Sequence, residues 1–294
     1  MYKLIYISYV MEDIAPGYKE KIRSQVKVFH NFGFITYLYT STTKGACLYE
    51  VNDNEFKKIY FKKYTLDYCK PIHKVLNKIV RTRFIDFCSG MREVNKILRP
   101  KVVYIRRIIP ITNLLLSIIK NYKKNNAIVL YEYPTYPWKR EMINENNKLK
   151  YLLYFLDRLN YKKLIKLVDI VPTILGEDIQ LPNKFIEINN GISIENIKAK
   201  SYSKTNKKIL NLIGIAHVAY WHGYDRLING LKNYYNEKRD IKTYVYFHIV
   251  GEGIELNNLK QLVIKYNLSN YVIFHGIKTG QELDNLFEIC DIGV

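Results

Sequence analysis

The spacing of apolar and polar positions changes repeatedly along the chain, and each change marks a new element. Residues 4–8 form a short apolar run rich in strand formers. Residues 18–31 repeat their apolar positions at helical spacing, and residues 34–40 return to a strand pattern. A short strand is expected over 58–61. A long helical region covers 71–99, with a break expected near Ser89-Gly90. Buried strands are expected at 102–105 and 128–131, separated by a helix over 113–124. A long amphipathic helix over 147–167 and a strand over 170–174 complete this series. Short apolar strands alternating with helices predict a parallel sheet with helices on both faces.

The polar stretch from Glu195 to Lys208 has no apolar period and is expected to be a linker. Alternation then resumes, with strands at 209–215, 244–250 and 272–275 and helices at 224–236, 256–266 and 280–289. A further strand begins at Cys290, near the end of the sequence. The expected organisation is therefore a first α/β domain over 1–194, a linker over 195–207 and a second α/β domain over 208–294. No repeat of fixed period and no low-complexity tract interrupts it.

Composition agrees with this reading. At 294 residues, with 48% apolar and 25% charged residues, the chain is an ordinary globular sequence of two-domain length. Its net charge of +19 points to an anionic partner or surface. That charge is uneven: residues 1–200 hold 35 Lys and Arg against 18 Asp and Glu, a net of +17, whereas residues 201–294 carry +2. Cys47, Cys69, Cys88 and Cys290 are scattered without a Cys-x-x-Cys pair, so neither a zinc nor a redox site is expected. The apolar start is too short for a signal peptide, and the longest apolar stretch, near 111–119, is well below a membrane span. These features lead to the expectation of a cytoplasmic protein.

In open α/β sheets, ligands lie beyond the carboxyl ends of the strands, so the loops there hold the candidate chemistry. Gly17, after the first strand, opens a helix whose first N–H groups suit an anion. A plain turn glycine would look the same, and no Gly-x-Gly-x-x-Gly pattern is present. Glu132 ends a buried strand and precedes Tyr133-Pro134-Thr135-Tyr136-Pro137-Trp138, whose aromatics suit sugar rings. A solvated or salt-bridged acid is the equal alternative. In the second domain the loop after residue 215 holds His217, Trp221, His222 and Gly223. Two histidines five apart would need further ligands for a metal, and none is suitably placed. Binding an anion at the helix start, aided by imidazolium charge, is the better use, against a purely structural role. Gly251-Glu252-Gly253, between the next strand and helix, allows close backbone approach.

Taken in order, these segments resemble the glycosyltransferase family 4 (group 1) enzymes, over nearly the whole chain and most strongly over 190–294. Asn190-Gly191-Ile192 is similar to the turn before that family's second domain. The stretch from His217 to Gly223 stands where the family has Gly-Arg and Lys-Gly, Gly251-Glu252-Gly253 matches its Gly-x-Gly, and Val272-Ile273-Phe274-His275-Gly276 matches its Val-x-Phe-x-Gly. Tyr131-Glu132-Tyr133-Pro134 and the run from Ala216 to Gly223 look like capsular or exopolysaccharide transferases. The resemblance implies two Rossmann-like domains facing a cleft, the GT-B fold. It implies Gly17, His217, His222, Gly223, Gly251, Glu252 and Gly253 at a nucleotide-sugar donor, and Glu132 near the catalytic position. Histidines stand where the family has Arg and Lys. The family's glutamate pair lies beyond residue 294, so the second domain is expected to be incomplete.

The function implied is transfer of a sugar from a nucleotide-sugar to a lipid-linked or oligosaccharide acceptor in bacterial surface polysaccharide assembly. No cofactor or metal is implied. The basic first domain would rest on anionic lipid at the inner face of the cell membrane, with a generic basic surface as the equal alternative. Two other readings stand beside it. One is an inactive or partial glycosyltransferase that only binds ligand. The other is nucleic-acid binding through basic-aromatic runs such as Lys57–Tyr64, for which no helix-turn-helix, RNP or KH signature is present, so no nucleic-acid partner is expected.

Overall fold

A computed structural model describes residues 1–52, 55–66, 81–136, 148–175, 180–189, 191, 200, 208–237 and 241–294. The chain divides into two compact units, Met1–Glu195 and Asn196–Val294, each with its own sheet.

The first unit runs β1 (Lys3–Met11), α1 (Pro16–Asn31), β2 (Ile35–Ser41), β3 (Gly45–Asn52), β4 (Glu55–Lys63), α2 (Thr82–Leu98), β5 (Val102–Arg106), α3 (Asn113–Lys124), β6 (Ile128–Tyr136), α4 (Lys148–Leu167), β7 (Val171–Leu175) and β8 (Phe185–Glu187). Its sheet has the order β4-β3-β2-β1-β5-β6-β7-β8. Strand β1 is central and parallel to both neighbours, with Ile5 opposite Tyr37 on one side and Val103 on the other. Alternation sends its side chains to two cores. Leu4 and Tyr6 meet Ile22 and Val26 of α1. Ile5 and Ile7 join the larger core under α2, α3 and α4, with Phe87, Met91, Ile118 and Leu164. Burying each such side chain stabilises the fold by about 1.5–3 kcal/mol.

Two sequence expectations are corrected here. The sheet is mixed: β2, β3 and β4 form an antiparallel meander at one edge. Three residues join β2 to β3, too few for the dozen or so that a parallel crossover needs. The turn is closed by Thr42, whose N–H donates to Gly45 O at 2.8 Å and whose Oγ1 accepts from Gly45 N at 3.1 Å. The expected strand at 58–61 is thus the middle of a nine-residue β4. Second, α2 runs unbroken through Ser89-Gly90. Gly90 is there for space, since a Cβ would lie 2.0 Å from Tyr39 Oη. That hydroxyl donates to Phe87 O at 3.0 Å. The part of the expected helical region before residue 81, and most of the 195–207 linker, lie outside the described residues.

The second unit runs β9 (Ile209–Ile215), a 3-10 turn (Tyr220–His222), α5 (Tyr224–Glu237), β10 (Tyr244–Val250), α6 (Leu256–Lys265), β11 (Val272–Gly276), α7 (Gln281–Ile289) and β12 (Ile292–Gly293). The sheet is wholly parallel, in the order β11-β10-β9-β12. Leu212, Phe247 and Val272 face α5 and α6, while Ile213 and Val250 meet Cys290 and the α7 leucines.

A polar chain crosses the second of these faces. Asn211 Nδ2 donates to Ile289 O at 3.0 Å, which turns its Oδ1 toward His248 Nε2 at 3.3 Å. His248 Nδ1 then lies 2.9 Å from His275 Nε2. With both rings protonated, two N–H donors would oppose each other. Burial holds both imidazoles below their ordinary pKa of 6.5, with the His275 charge adding to the effect on His248 and Lys278 to that on His275. The unfolded chain therefore binds more protons once the pH falls below that value, and stability rises with pH across this window. This contribution is complete above about pH 6.5 and lost below it. Urea melts of the second unit's transition from about pH 5 to about pH 8 are expected to show that slope, and His248→Asn should flatten it; a flat wild-type curve would refute the assignment.

Candidate functional site

Parallel strands bring every loop that follows them to one edge of their sheet. In the second unit, the loops after β9, β10 and β11 are joined there by backbone hydrogen bonds. Ala216 N donates to Val250 O at 3.1 Å, Val218 N to Glu252 O at 2.9 Å, and Gly251 N to Gly276 O at 2.7 Å. The glycines make this contact. A Cβ on Gly251, at φ +121°, would lie 1.9 Å from Ala216 O, and one on Gly253 would lie 2.1 Å from Val218 O. These two glycines thus admit the chain's own backbone, and the Gly251 N–H is already engaged. The Glu252 side chain is exposed beside them.

Held in this way, Val218 and Ala219 are buried, and the chain leaves them in the 3-10 turn. His217 and His222 are both exposed. His222 is the better fixed. Its Nδ1 lies 3.2 Å from both Ala219 N and Ala219 O, and its ring sits between Trp221 and Tyr224 at 5.9 and 5.7 Å. That contact engages Nδ1 and leaves Nε2 as the nitrogen for a ligand. Gly223 ends the turn at φ +68°, a backbone that favours glycine, and α5 starts at the next residue. A depression of about 280 Å³ lies beside this turn, between the first turns of α5 and α6, with Tyr220, Asp225, Arg226 and Glu255 at its wall. Among the described residues, no group of three or more His, Cys, Asp or Glu side chains could hold a metal.

In the first unit, Gly17 occupies the second position of α1, is exposed, and has open space where a Cβ would stand. The helix start lacks a side-chain cap, so its first N–H groups stay available to an anion. Glu132 is fully buried. Its Oε1 accepts from Arg106 Nη1 at 2.7 Å across the β5–β6 register, and its Oε2 lies 3.3 Å from the Tyr6 hydroxyl. The same hydroxyl lies 2.9 Å from Gln25 Oε1 of α1. Burial, reinforced by the Glu132 charge, pushes the Tyr6 and Tyr104 phenols far up, so both stay protonated as neutral donors. Glu132 is thus a partner of the core, in line with the salt-bridged alternative; it stands in the middle of β6, which runs on to Tyr136, where a strand end was expected. Arg106, 6.0 Å from the Tyr18 ring in the first turn of α1, is the charge that this carboxylate holds in place.

The next residue repeats the device on the other face. Arg107 meets buried Asp157 of α4 at 3.4 Å, and Asp157 Oδ1 accepts from Ile111 N at 2.8 Å. Burial raises the Asp157 carboxyl while Arg107 opposes that shift. These two arginines were missed in the sequence, although adjacent cations ending an apolar strand signal buried acids elsewhere. Asn190, Ile192, Pro137 and Trp138 lie outside the described residues. The Lys57–Tyr64 run lies on β4 and just beyond it, where Lys62 Nζ and Tyr60 Oη both reach Glu93.

No protein-family model matches this chain, and no curated protein does either. Its fold is nevertheless shared with solved structures of GT-B glycosyltransferases, an α/β fold of two Rossmann-like domains. TarM aligns at TM-score 0.59 and 10% identity, over 100% of this chain and 80% of that one. The pneumococcal O-GlcNAc transferase GtfA, solved with UDP and GlcNAc, aligns at 0.55 and 12%, over 95% and 76%. The lipopolysaccharide outer core galactosyltransferase WaaB, in its apo form, aligns at 0.54 and 12%, over 96% and 71%. Likeness at this identity establishes the fold.

Two expectations follow from this geometry. Gly251→Ala and Gly253→Ala should each destabilise the second unit by about 1–3 kcal/mol, because backbone must move, while Gly17→Ala should raise stability by about 0.4–1 kcal/mol. Urea midpoints for the three variants decide it, and equal effects would refute the distinction. Glu132→Ala should cost about 3–5 kcal/mol by stranding the buried Arg106 charge, and the double variant Arg106→Met with Glu132→Leu should regain most of that loss. A double variant no better than Glu132→Ala would show that the pair is not the reason.

Proposed function

We propose that the chain is a glycosyltransferase that moves a sugar from a nucleotide-sugar donor to a lipid-linked or oligosaccharide acceptor in bacterial surface polysaccharide assembly. One observation carries this reading. On a fold shared with glycosyltransferase structures, three strand-end loops of the second unit converge on a backbone-locked turn that fixes His222 beside a helix start. Transfer of a glycosyl group builds positive charge on the sugar and negative charge on the departing diphosphate. Donors and cations aimed at that diphosphate lower the barrier.

His222 Nε2 and His217 supply such groups in this proposal, with the first N–H groups of α5 beyond Gly223. Glu252 and the Gly251–Gly253 turn flank the nucleotide. Gly17, at the uncapped start of α1, offers N–H groups to an anion in the first unit. Glu132 acts as a positioning residue through Arg106. No metal or cofactor takes part in this reading. The acceptor's lipid places the protein at the cytoplasmic face of the membrane, where the basic first part meets anionic headgroups.

Calorimetric titration of the 294-residue chain with UDP, GDP and their sugars tests the proposal. Saturable binding of one nucleotide in the micromolar range is expected. Replacing both His217 and His222 by Ala should weaken it about 100-fold or more, at roughly 1.5–3 kcal/mol for each charge-assisted hydrogen bond. Unchanged affinity in the double variant would remove the histidines from the site. No nucleotide binding by a cooperatively folded chain would overturn the donor reading.

A further inference from the structure

Helix α4 presents two faces of different chemistry. Inward, Asp157 and Leu164 are fully buried, and Asn160 Nδ2 donates to Ile111 O at 2.9 Å. Outward, Phe155 and Leu159 are 55% and 57% exposed, with Leu156 beside them at 40%. Positions 155, 159, 162 and 166 are spaced four, three and four apart, so Phe155, Leu159, Lys162 and Lys166 form one stripe along the helix. Arg158 and Lys163, both exposed, flank it. Asp157 is the single acid between Lys148 and Leu167, and it is turned inward onto Arg107. The outward face is therefore apolar and basic throughout its described length.

We propose that this stripe is a docking surface for an anionic membrane. The four cations match lipid phosphates, and their long stems let the charge sit at headgroup level while Phe155, Leu156 and Leu159 enter the acyl boundary. A nucleic acid or an acidic protein surface would satisfy the cations but leave three large apolar side chains against polar groups. A lipid interface supplies both the charge and the apolar depth. Among the described residues, no helix is long and apolar enough to cross a membrane, so α4 lies along the surface. The net charge of +17 over residues 1–200 adds attraction at longer range. The inference rests on the membrane-bound acceptor of the proposed function for its biological sense, but its test uses neither donor nor acceptor.

The experiment is vesicle co-sedimentation of the full chain. Binding is expected to vesicles containing about 30% phosphatidylglycerol, much less to phosphatidylcholine alone, and to weaken with salt. Lys162→Ala with Lys166→Ala should lower the partition coefficient about 25-fold, near fivefold per cation. Phe155→Ser with Leu159→Ser should lower it at least about tenfold. All four side chains are exposed, and unchanged circular dichroism will show that the fold is kept. As a positive signature, Phe155→Trp should blue-shift its emission on the anionic vesicles. Wild-type affinity in both double variants, or no shift in the Trp variant, would overturn the proposal. So would a DNA duplex that binds as tightly and loses affinity in the Phe155/Leu159 variant. Vesicle binding without nucleotide binding would sink the proposed function alone, and the reverse would sink this inference alone.

Discussion

Backbone contact between neighbouring loops governs the second unit. Where the loop after β10 turns, Gly251 and Gly253 let Ala216 and Val218 pass at distances that no side chain would allow. That approach buries Val218 and Ala219, and their burial sets the start of the 3-10 turn. The turn in turn brings His222 back onto Ala219 and leaves Gly223 to reverse the chain into α5. A single methyl group at either glycine would loosen every later step. The position of one imidazole nitrogen is thus set by missing atoms some thirty residues further along the sequence.

The first unit is organised by charge placed inside the core. Successive residues of a strand point to opposite faces, so Arg106 and Arg107, at and just past the end of β5, enter different cores. Each finds a buried carboxylate, Glu132 on the next strand and Asp157 on α4. Exchanging either partner for an apolar group strands a cation that burial makes costly. Together the two pairs tie the loop after β5 to the sheet and to α4. Two tyrosines complete the anchoring: Tyr131 Oη lies 2.9 Å from both Ile108 N and Ile108 O, and Tyr6 links Glu132 to α1.

Much of this was legible in the sequence because periodicity is set locally. Strands β9 and β10 and helix α3 stand at the residues that the apolar pattern marks, and the alternation of elements gives the fold class. What escaped depends on partners distant in sequence. Strand β3 lacks a long apolar run, and its pairing follows from a three-residue connection rather than from its own composition. Gly90 looks like a helix breaker until Tyr39 is seen to need its space. At the candidate site, the sequence marks Gly251 and Gly253 for close backbone approach by a ligand, whereas what approaches them in the structure is the neighbouring loop. The sequence reads Glu132 as a strand-end acid; the structure sets it in the middle of β6, and its burial depends on Arg106, which only the β5–β6 register reveals.

Strand β4 carries a different consequence. Among the described residues its one neighbour is β3, so nine residues of backbone donors and acceptors stand at the margin of the sheet. An edge of this length, with Ile59 and Phe61 exposed, is a template for self-association. Exposed Lys57, Lys58 and Lys63 guard it, since a second copy would set like charges side by side. That guard is electrostatic and shortens with the Debye length, from about 10 Å at about 0.1 M ionic strength to about 3 Å in molar salt. High salt, which quiets many basic proteins, would here remove the repulsion that keeps separate molecules from extending one another's sheets.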